Sequence, residues 1–511
     1  MSATEHLEIE LKFDVDAGRV VPDLSGLPGV ATVADPYVES LQAIYYDTER
    51  LDLLSNKITL RRRRGGHDAG WHLKRPSVGA GRRELHLPDD GIVADIGDIA
   101  AAGVESSSPV PDELIVPVLA LTRHHTLIPI ASIDTRRTVT ELLDAEGAVL
   151  AVMCADQVTA QSLLPHGAGH QWAEWEFELD GGGRGLLDAA ESALIAAGAQ
   201  TASSASKLAR TVGDIPPRRR HGMGAEPTAL ELVLTQVAQH VDLLVANDPL
   251  VRADEPDAVH QMRVAARRIR SVLHGFPDVI WGPKTRHVAD ELKLLGQLLG
   301  AARDAEVQLA RNEDSLAGED PGAGLRTLLV DELARTRADA MAVIQTSMHS
   351  DRYFALLDGL DELLARPEPG ERAENPAEDE IRRAVRKGRK AVARAQAHAA
   401  ELPEGCDEWT EAMHTVRKKA KRLRYSAESA ADLPNGVATK KHKTIAKAAK
   451  RIQSSLGDLH DAALARERLR EALTHDGLHR HDAFVLGRID AHEQRLSDAA
   501  LAEYRAVARE L

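Results

Sequence analysis

The stretch Leu7–Phe13 reads LEIELKF, and its apolar residues occupy every second position. In a β-strand this period places the apolar side chains on one face and Glu8, Glu10 and Lys12 on the other. For a single strand, the simplest interpretation is an amphipathic strand whose charged face lies in water. That interpretation weakens when the same pattern recurs along the chain.

Charged residues alternate with apolar ones in several further runs of the N-terminal part. The rows are Arg61 with Arg63, His72 with Lys74, Arg82 with Glu84 and His86, and Glu174 with Glu176 and Glu178. Like charges that line one face of a sheet repel one another and cost stability. Several such rows are accommodated if the strands close into a barrel with the charged faces inward, around a filled channel. The outward faces then need covering elements, and we expect Arg62 and Arg64 to be exposed strand residues.

A channel that combines acidic and basic rows has a chemical logic. Carboxylates bind hard divalent cations such as Mg²⁺ or Mn²⁺, which prefer oxygen ligands. Arg and Lys bind phosphate oxygens, and the Arg guanidinium does so with two parallel hydrogen bonds. Phosphoryl transfer depends on this kind of electrostatic clamp more than on a covalent nucleophile. The pattern therefore favours a metal-bridged oligophosphate site.

The run Glu8-x-Glu10-x-Lys12 resembles the signature of the CYTH domains, also called triphosphate tunnel metalloenzymes. The segments that continue the resemblance follow in the family's order: Tyr45–Thr48, Leu60–Arg63, Trp71–Lys74, Arg82 with Glu84, Arg137, Asp156, the row from Glu174 to Glu178, and Ser206 with Lys207. A lone Glu-x-Glu-x-Lys is weak, but the ordered set, which covers residues 5–212, is specific. The resemblance implies an eight-stranded antiparallel β tunnel with flanking helices that hydrolyses or cyclises triphosphate compounds.

The resemblance also assigns roles to residues of the tunnel. Phosphate binding falls to Lys12, Arg61, Arg63, Lys74, Arg82, Arg137 and Lys207, and metal binding to Glu8, Glu10, Asp156, Glu174 and Glu176. Glu8, Glu10 and Lys12 are the expected catalytic residues, with Mg²⁺ or Mn²⁺ as the cofactor. The assignments left open are Arg136 versus Arg137, Glu174 versus Glu178, and which carboxylate positions the attacking water.

Members of this family differ in substrate, which is inorganic triphosphate, thiamine triphosphate, ATP or an RNA end. Aromatic residues make up only 3% of the chain, and stacking of a base or a thiamine ring requires aromatic side chains. Trp71, Trp172 and Trp175 are the nearby candidates for such stacking. Inorganic triphosphate is therefore the first expectation.

A polar, Pro-rich segment, Pro216–Gly222, precedes a second part that is rich in Ala, Leu, Arg and Glu at helical spacing. This part contains an internal repeat. The matching segments are Val259–Arg270 with Met413–Arg424, and Leu299–Asp304 with Leu456–Asp461. Each repeat has room for about four helices of ordinary length. The predicted fold class is α+β, with a tunnel domain at 5–212, a linker at 213–225, and an all-α domain at 226–511 built from two pseudo-symmetric four-helix bundles at about 226–370 and 376–511.

One helix face in each repeat is purely basic. On a helical wheel the stripes are His260, Arg263, Arg267 and Arg270, then His414, Arg417, Lys421 and Arg424, with a third row at Lys440, Lys443, Lys447 and Lys450. A solvated charged face is the ordinary explanation for a basic helix, but such faces mix signs through Glu–Lys pairs, and these stripes contain no acid. Aligned like charges repel, so a bound polyanion, whose phosphates match a row of Arg and Lys, is the natural partner.

This half resembles the CHAD domain, a conserved histidine α-helical domain, over about residues 226–511. The resemblance lies in His260-x-x-Arg263 and His414-x-x-Arg417 with their following basic residues, and in two Leu-Gly-x-x-(Arg/His)-Asp motifs. It implies binding of long-chain inorganic polyphosphate in a basic groove. The residues expected to contact it are His260, Arg263, Arg267, Arg270, His414, Arg417, Lys421, Arg424, Lys443 and Lys447.

Two details of the basic stripes bear on this interpretation. In the second repeat Lys421 stands where the first has Arg267, which keeps the charge but loses the two-pronged guanidinium. A metal ion held by His260 and His414 is the weaker alternative, because so many Arg and Lys residues repel a cation.

The net charge and the cysteine content of the chain are compatible with these sites. The 511 residues carry a formal net charge of −15, but the basic residues are bunched, which indicates defined anion sites rather than a generally anion-binding surface. Two cysteines, Cys154 and Cys406, build neither a disulfide framework nor a cysteine zinc site, and they favour a reducing cytosol. We expect no signal peptide and no membrane span. Cytoplasmic location is the expectation, with association with polyphosphate granules as a further hypothesis.

Three functions follow from the sequence. The first is a divalent-metal-dependent triphosphatase whose helical domain binds polyphosphate. The second is a non-catalytic polyphosphate-binding or granule-targeting protein, which gains weight because the helical domain shows no persuasive set of catalytic groups. The third, nucleic-acid binding, is disfavoured because the basic stripes lack interleaved aromatic residues for base stacking. The expected partners are inorganic triphosphate and long-chain polyphosphate, with no membrane and with no protein partner indicated.

Overall fold

The computed structural model describes residues 4–76, 82–88, 110–213, 215, 221–434, 440–475 and 478–511, without the side chains of residues 4–8. The chain forms two compact units, Met1–Arg218 and Arg219–Leu511. The division between them falls inside the expected linker, while the domain bounds given above stay predictions.

The first unit is built on an antiparallel sheet. Its strands are β1 Thr4–Glu8, β2 Glu10–Val15, β3 Thr32–Val33, β4 Tyr37–Asp47, β5 Thr59–Arg64, β6 Gly70–Pro76, β7 Arg82–Pro88, β8 Ile128–Leu143, β9 Val149–Ser162, β10 Gly169–Leu179 and β11 Gln200–Thr201. Their order in the sheet is β1-β7-β6-β5-β4-β8-β9-β10-β2-β11, with β3 beside β8. β3 and β11 have two residues each, so the remaining strands, with β1 and β2 taken as one, supply the eight expected.

The first strand closes this sheet into a barrel. β1 and β2 are separated only by Ile9, and they pair with opposite ends of the sheet. Glu8 of β1 is opposite Arg82 of β7, and Lys12 of β2 is opposite Glu176 of β10. Because one short stretch of chain joins the two ends, the ring has no free edge between them. The predicted antiparallel tunnel is confirmed.

Helices cover the apolar outer faces of the barrel. They are α1 Asp112–Ile115, α2 Leu119–Thr122, α3 Arg184–Ala196 and α4 Lys207–Val212. α3 buries Leu186 and Leu194 against Phe13 and Phe177 of the sheet, and α1 buries Leu114 in a separate cluster. Each such side chain contributes roughly 1.5–3 kcal/mol when it leaves water. Because the apolar residues point outward, the alternate charged residues line the interior.

The second unit is helical. Its described helices are α5 Ala229–Arg252, α6 Ala258–Gly275, α7 Pro283–Leu316, α8 Ala323–Arg326, α9 Glu332–Met348, α10 Asp351–Ala365, α11 Ala377–Ala400, α12 Asp407–Glu428, α13 Lys440–Ala472 and α14 Arg480–Val507. One π-helical turn, Thr327–Asp331, joins α8 to α9. The second repeat has four described helices, and the first has the four-residue α8 and α10 in addition; α10 packs on α5 and α7. The two basic helices, α6 and α12, pack against each other.

Among the described residues, one helix, α5, is long and apolar enough by length and composition to cross a membrane. Half of its apolar stretch is buried within the protein, and Leu232, Val233 and Val237 are inaccessible to solvent. A capping box, in which Thr228 and Glu231 bond to each other's backbone N–H groups, begins the helix. These features are typical of a core helix of a bundle.

Candidate functional site

Three carboxylates meet inside the barrel on adjacent strands. Asp156 of β9 lies opposite Glu174 of β10, and Glu176 follows on the same face. All three are buried, and one oxygen from each lies within 4.8 Å of the others. Among the described residues this is the one group of three or more His, Cys, Asp or Glu side chains close enough to share a metal ion. An all-oxygen set of this kind fits Mg²⁺ or Mn²⁺.

Lys207 contacts all three carboxylates. Its Nζ lies 2.9 Å from Asp156, 2.5 Å from Glu174 and 2.9 Å from Glu176. The lysine is the first residue of α4, and the Ser206 hydroxyl caps that helix by accepting the Ala209 N–H at 3.1 Å. The cap therefore fixes the position at which the ammonium group enters the barrel.

Two further cations reach the same carboxylates from other strands. Arg137 of β8 donates two hydrogen bonds to Asp156, of 2.8 and 2.7 Å, and also contacts Glu176. Lys12 of β2 contacts Glu176 and lies 2.8 Å from Glu10. Strands β2, β8, β9 and β10, with the end of α4, thus converge on one ionic network.

The charges in this network hold one another in the ionised form. Burial alone would raise the pKa of Glu176, yet Lys12, Lys207 and Arg137 hold it well below its usual range. Burial alone would lower the pKa of Lys207, yet Asp156, Glu176 and then Glu174 raise it well above the ordinary value. The Glu176 carboxylate is therefore anionic at neutral pH, which is the form that ligates a metal ion.

A second polar group lies on β5, β6 and β7. Lys74 is 3.3 Å from Glu84, and His72 shares a hydrogen bond of 2.6 Å with the same carboxylate. Arg61 donates a hydrogen bond of 3.4 Å to the Tyr45 hydroxyl. Burial, opposed by the Glu84 bond, lowers the pKa of His72 to about 4, so the imidazole is neutral at pH 7. This side of the barrel thus offers Arg61 and Lys74 as cations.

The structure places the predicted tunnel residues in two sets. One network contains Glu10, Lys12, Arg137, Asp156, Glu174, Glu176 and Lys207. Arg61, Arg63 and Lys74 form the set on β5 and β6, and Arg82 at the start of β7 donates a 3.1 Å hydrogen bond to a loop carbonyl. Glu8 belongs to β1, but its side chain lies outside the described part of the chain.

The neighbouring residues Arg136 and Arg137 of β8 lie on opposite faces of the sheet. Arg137 belongs to the interior network, whereas Arg136 is exposed, which settles the choice that the sequence left open. The expectation that Arg62 is exposed was wrong. It is only 3% exposed, lies opposite Trp71 in the sheet, and places its guanidinium 5.9 Å from that ring. The ring provides a cation–π surface that makes this burial tolerable.

Sequence reasoning gave no role to Asp68, which contacts Arg63. Asp68 follows β5 in the turn that leads to β6, where a two-residue period carries no information. Glu84 was quoted only as part of a motif, yet it anchors both Lys74 and His72. The signal for Glu84 was its place between two basic neighbours on one face.

In the helical unit, a groove of about 1130 Å³ lies between the two repeats. It is lined by His260, Arg263, Arg267 and Arg270 of α6 and by His414, Arg417 and Lys421 of α12. The long helices add residues that the stripes did not predict, namely Lys293, Arg303 and Arg311 of α7 and His460 and Arg468 of α13. Ten Arg and Lys against four Asp and Glu line it, a formal excess of six positive charges.

Most of the central cations of this groove lack a counterion. Arg263 lies 3.1 Å from Asp304. By contrast, the ion pairs found among the described residues involve neither Arg267 nor Arg270, and neither Arg417 nor Lys421. Burial and then the arginines around it lower the pKa of Lys421 to about 7. Uncompensated positive charge is what a bound polyanion neutralises.

The glycine of each Leu-Gly motif makes room for an arginine of the preceding basic helix. A methyl group added at Gly457 would lie 2.9 Å from Nη2 of Arg417, and one at Gly300 would lie 3.5 Å from Nη2 of Arg263. The guanidinium groups therefore rest against the backbone of α13 and α7. This contact gives a physical reason for the spacing of the two motifs in each repeat.

Three predicted polyphosphate ligands lie elsewhere. Arg424 donates a 2.6 Å hydrogen bond to Glu428 and stacks on Tyr425, and it does not line the groove. Lys447 lines a separate cleft of about 700 Å³ between α13 and α14, and Lys443 lines neither cavity. Within the described part of the chain, His260 and His414 belong to no potential metal cluster.

Comparison with known proteins agrees with these two units. The family model of the CYTH domain matches residues 6–212, and that of the CHAD domain matches residues 235–470. Uncharacterized protein Rv2226 of Mycobacterium tuberculosis is 37% identical over 522 residues, which cover 99% of this chain and 96% of the relative.

Two solved structures are similar to part of the chain. PptA from Streptomyces chartreusis aligns with a TM-score of 0.45 and 18% identity, over 55% of this chain and 99% of its own. The CHAD domain from the plant Ricinus communis aligns with a TM-score of 0.44 and 24% identity, over 58% of this chain and 98% of its own. Given the two family matches and the full-length relative, this chain belongs to the family of proteins in which a CYTH domain is followed by a CHAD domain.

Proposed function

We propose that the tunnel hydrolyses inorganic triphosphate with Mg²⁺ or Mn²⁺, and that the helical unit binds inorganic polyphosphate. The observation that carries the first half is the cluster of buried carboxylates inside a closed barrel, Asp156, Glu174 and Glu176, with Lys and Arg side chains around it. CYTH domains are metal-dependent triphosphatases or cyclases, so the site has the groups that this chemistry requires.

In this proposal the three clustered carboxylates hold the metal ion, with Glu8 and Glu10 as further ligands. The metal supplies Lewis-acid stabilisation of charge on the phosphate oxygens. Binding and orientation of the triphosphate fall to Lys12, Arg61, Arg63, Lys74, Arg82, Arg137 and Lys207. Glu10 lies 2.8 Å from Lys12, which brings one of these proposed metal ligands next to one of the proposed phosphate ligands. Enclosure by the barrel strengthens each of these electrostatic contacts.

The choice of inorganic triphosphate rests on the state of the aromatic rings. Trp71 and Trp175 are buried in the outer cores, at 4% and 1% exposure. Trp172 is covered by the guanidinium of Arg210, which lies 4.8 Å from its ring. Burial of two rings and the contact of Arg210 with the third leave little aromatic surface to stack on a base or a thiamine ring. A substrate made of phosphates alone fits better.

Phosphate release by the full chain tests the catalytic half. We expect release from inorganic triphosphate with Mg²⁺ or Mn²⁺, slower release from ATP and thiamine triphosphate, and none with a chelator. Release that persists in the chelator would contradict a metal-dependent mechanism. No release from any of the three substrates would contradict hydrolysis itself.

The polyphosphate half rests on the unpaired cations at the centre of the groove. Arg267 and Arg270 of one repeat and Arg417 and Lys421 of the other converge on one cavity. A chain of phosphates carries negative charge along its whole length, and it can contact both repeats at once. Cytoplasmic location and association with polyphosphate granules are part of this proposal.

The glycine contacts provide a test in which stability and binding change in opposite directions. Gly457→Ala places a methyl group against the Arg417 guanidinium and should weaken polyphosphate binding several-fold, because the side chain must move. The same change should raise the free energy of unfolding by up to about 1 kcal/mol, since Ala favours the helix. Gly300→Ala, with its looser 3.5 Å contact, is the matched control and should bind nearly as well as wild type. Equal loss in both variants would contradict the specific contact.

A non-catalytic polyphosphate-binding protein is the second candidate. It is favoured by the observation that Lys12, Arg137 and Lys207 contact the clustered carboxylates and so compete with a metal ion for them. In that case the tunnel holds the end of a polyphosphate chain and releases no phosphate. Polyphosphate binding that does not change on adding Mn²⁺, together with no phosphate release, would favour this candidate.

A further inference from the structure

Lys421 occupies a special position in the basic groove. It lies on α12 and lines the cavity between the repeats. Arg267 stands at the equivalent place in the first repeat, 154 residues earlier in the sequence. Four guanidinium groups, those of Arg263, Arg267, Arg270 and Arg417, act on its ammonium group. Among the described residues, no carboxylate lies within 4.0 Å of it.

The charged and titratable groups that share the groove with Lys421 come from every helix that forms it. They are His260, Arg263, Arg267 and Arg270 of α6, Lys293, Arg303, Asp304 and Arg311 of α7, Glu332 of α9, His414, Arg417 and Lys418 of α12, and His460, Asp461, Arg468, Glu471 and His475 on or just after α13. α11, on the other side of α12, contributes none of the described groove residues. The Arg and Lys residues of the groove outnumber the Asp and Glu residues, and Asp304 forms an ion pair with Arg263.

An amine and a guanidinium respond differently to such crowding. A guanidinium keeps its proton under all conditions that proteins tolerate, whereas a lysine amine gives its proton up when burial and like charges make the charge costly. Burial and then the surrounding arginines lower the pKa of Lys421 to about 7. Without a ligand, the amine therefore loses its charge as the pH rises through neutrality.

We propose that binding of polyphosphate in this groove is coupled to the uptake of a proton by Lys421. Phosphate oxygens cancel the repulsion from the four arginines and accept a hydrogen bond from the ammonium group. Lys421 is thus charged fully when the polyanion is present and partly or not at all when it is absent. This inference rests on the proposed function of the groove and adds a pH dependence to it.

The sign of the dependence follows from linkage. The bound state holds a proton that the free state loses above about pH 7, so affinity falls as pH rises. For one proton the affinity falls by up to about tenfold per pH unit, between the pKa of the free and the bound state. Burial lowers the pKa of both His260 and His414 below the usual value, so these two imidazoles are further than Lys421 from gaining a proton at pH 8.

Calorimetry measures the proton directly. Long-chain polyphosphate is titrated into the full chain at pH 8, in two buffers whose ionisation enthalpies differ, and the difference in heat gives the number of protons taken up. We expect wild type to take up a large fraction of one proton. Lys421→Arg, which carries a permanent charge, should take up none and should bind with little change between pH 7 and pH 9.

Two further variants make the result specific. Lys421→Met has no titrating group, so it should also take up no proton and should bind more weakly than wild type at pH 7. Lys284→Arg, on the exposed surface 3.1 Å from Glu362, should keep the wild-type uptake. Thermal unfolding of each variant checks that it is folded.

The possible outcomes separate this inference from the function on which it rests. Uptake in wild type that disappears in Lys421→Arg supports the inference. Binding without proton uptake at pH 8, or with equal uptake in Lys421→Arg, overturns the inference and leaves polyphosphate binding intact. No binding at any pH from 6 to 9 overturns the proposed function of the groove and the inference together.

Discussion

Replacing Glu176 by Gln is expected to lower phosphate release from inorganic triphosphate on the order of 100-fold or more. Glu176 is one of the three clustered carboxylates, and it contacts Lys12, Arg137 and Lys207. The amide has no negative charge for a metal ion, and it leaves these cations with less compensation. Steady-state phosphate release with saturating Mn²⁺ measures the loss. Polyphosphate binding by the helical unit should be unchanged in the same variant.

The same substitution should also destabilise the barrel, by about 3–5 kcal/mol if the remaining cations stay uncompensated. Thermal unfolding therefore accompanies the assay, and activity is compared at a temperature at which the variant is folded. Glu146→Gln, at an exposed hairpin turn of the same unit, is the matched control and should keep full activity. A folded Glu176→Gln variant with wild-type release would contradict the role given to the cluster.

Reversing two charges in the groove should weaken polyphosphate binding by a comparable factor. Arg267→Glu combined with Arg417→Glu changes the charge of the groove by four units, and both positions lack a described counterion. We expect the affinity for polyphosphate to fall on the order of 100-fold or more, with a weaker dependence on salt. Phosphate release from triphosphate should remain. Binding measured over a range of salt concentrations gives both quantities.

A control with the same net charge separates local from general electrostatics. Arg366→Glu combined with Arg382→Glu makes an equal change at exposed positions outside the groove. Its polyphosphate affinity should change by only a few-fold. If both double variants lose affinity equally, the attraction is a property of the whole surface, and the groove has no special role.

The alternation of apolar and charged residues was sufficient to predict the barrel. Leu11 and Phe13 do pack outward under α3, while Lys12 faces the interior network. The sequence did not reveal that the first strand is interrupted at Ile9 so that its two halves serve opposite ends of the sheet. Such an interruption depends on how the whole ring closes, which a local period does not report.

The side-chain contacts within the two sites were less predictable than the strand or helix face on which each residue lies. Lys207 meets Asp156 because a helix cap fixes its approach, and no spacing in the sequence indicates that contact. In the helical unit the pure stripes and the Arg303 of the first Leu-Gly motif were visible, but Arg311 was not, because it lies singly on a helix of mixed charge. The helical wheel places Arg424 in a basic stripe, yet its side chain bonds to Glu428, one turn later, and does not line the groove.

The way in which the barrel closes has a consequence for its synthesis. β2 pairs with β10, and the register places Lys12 opposite Glu176, 164 residues later in the chain. At translation rates of about 5–20 residues per second, the first strand waits on the order of 10–30 s for this partner to be made. Throughout that time one edge of a growing antiparallel sheet is open and can pair with other chains. Ribosome-associated chaperones are therefore expected to bind the nascent barrel until β10 has emerged, whereas the largely local contacts within each helical repeat can form as soon as that repeat is made.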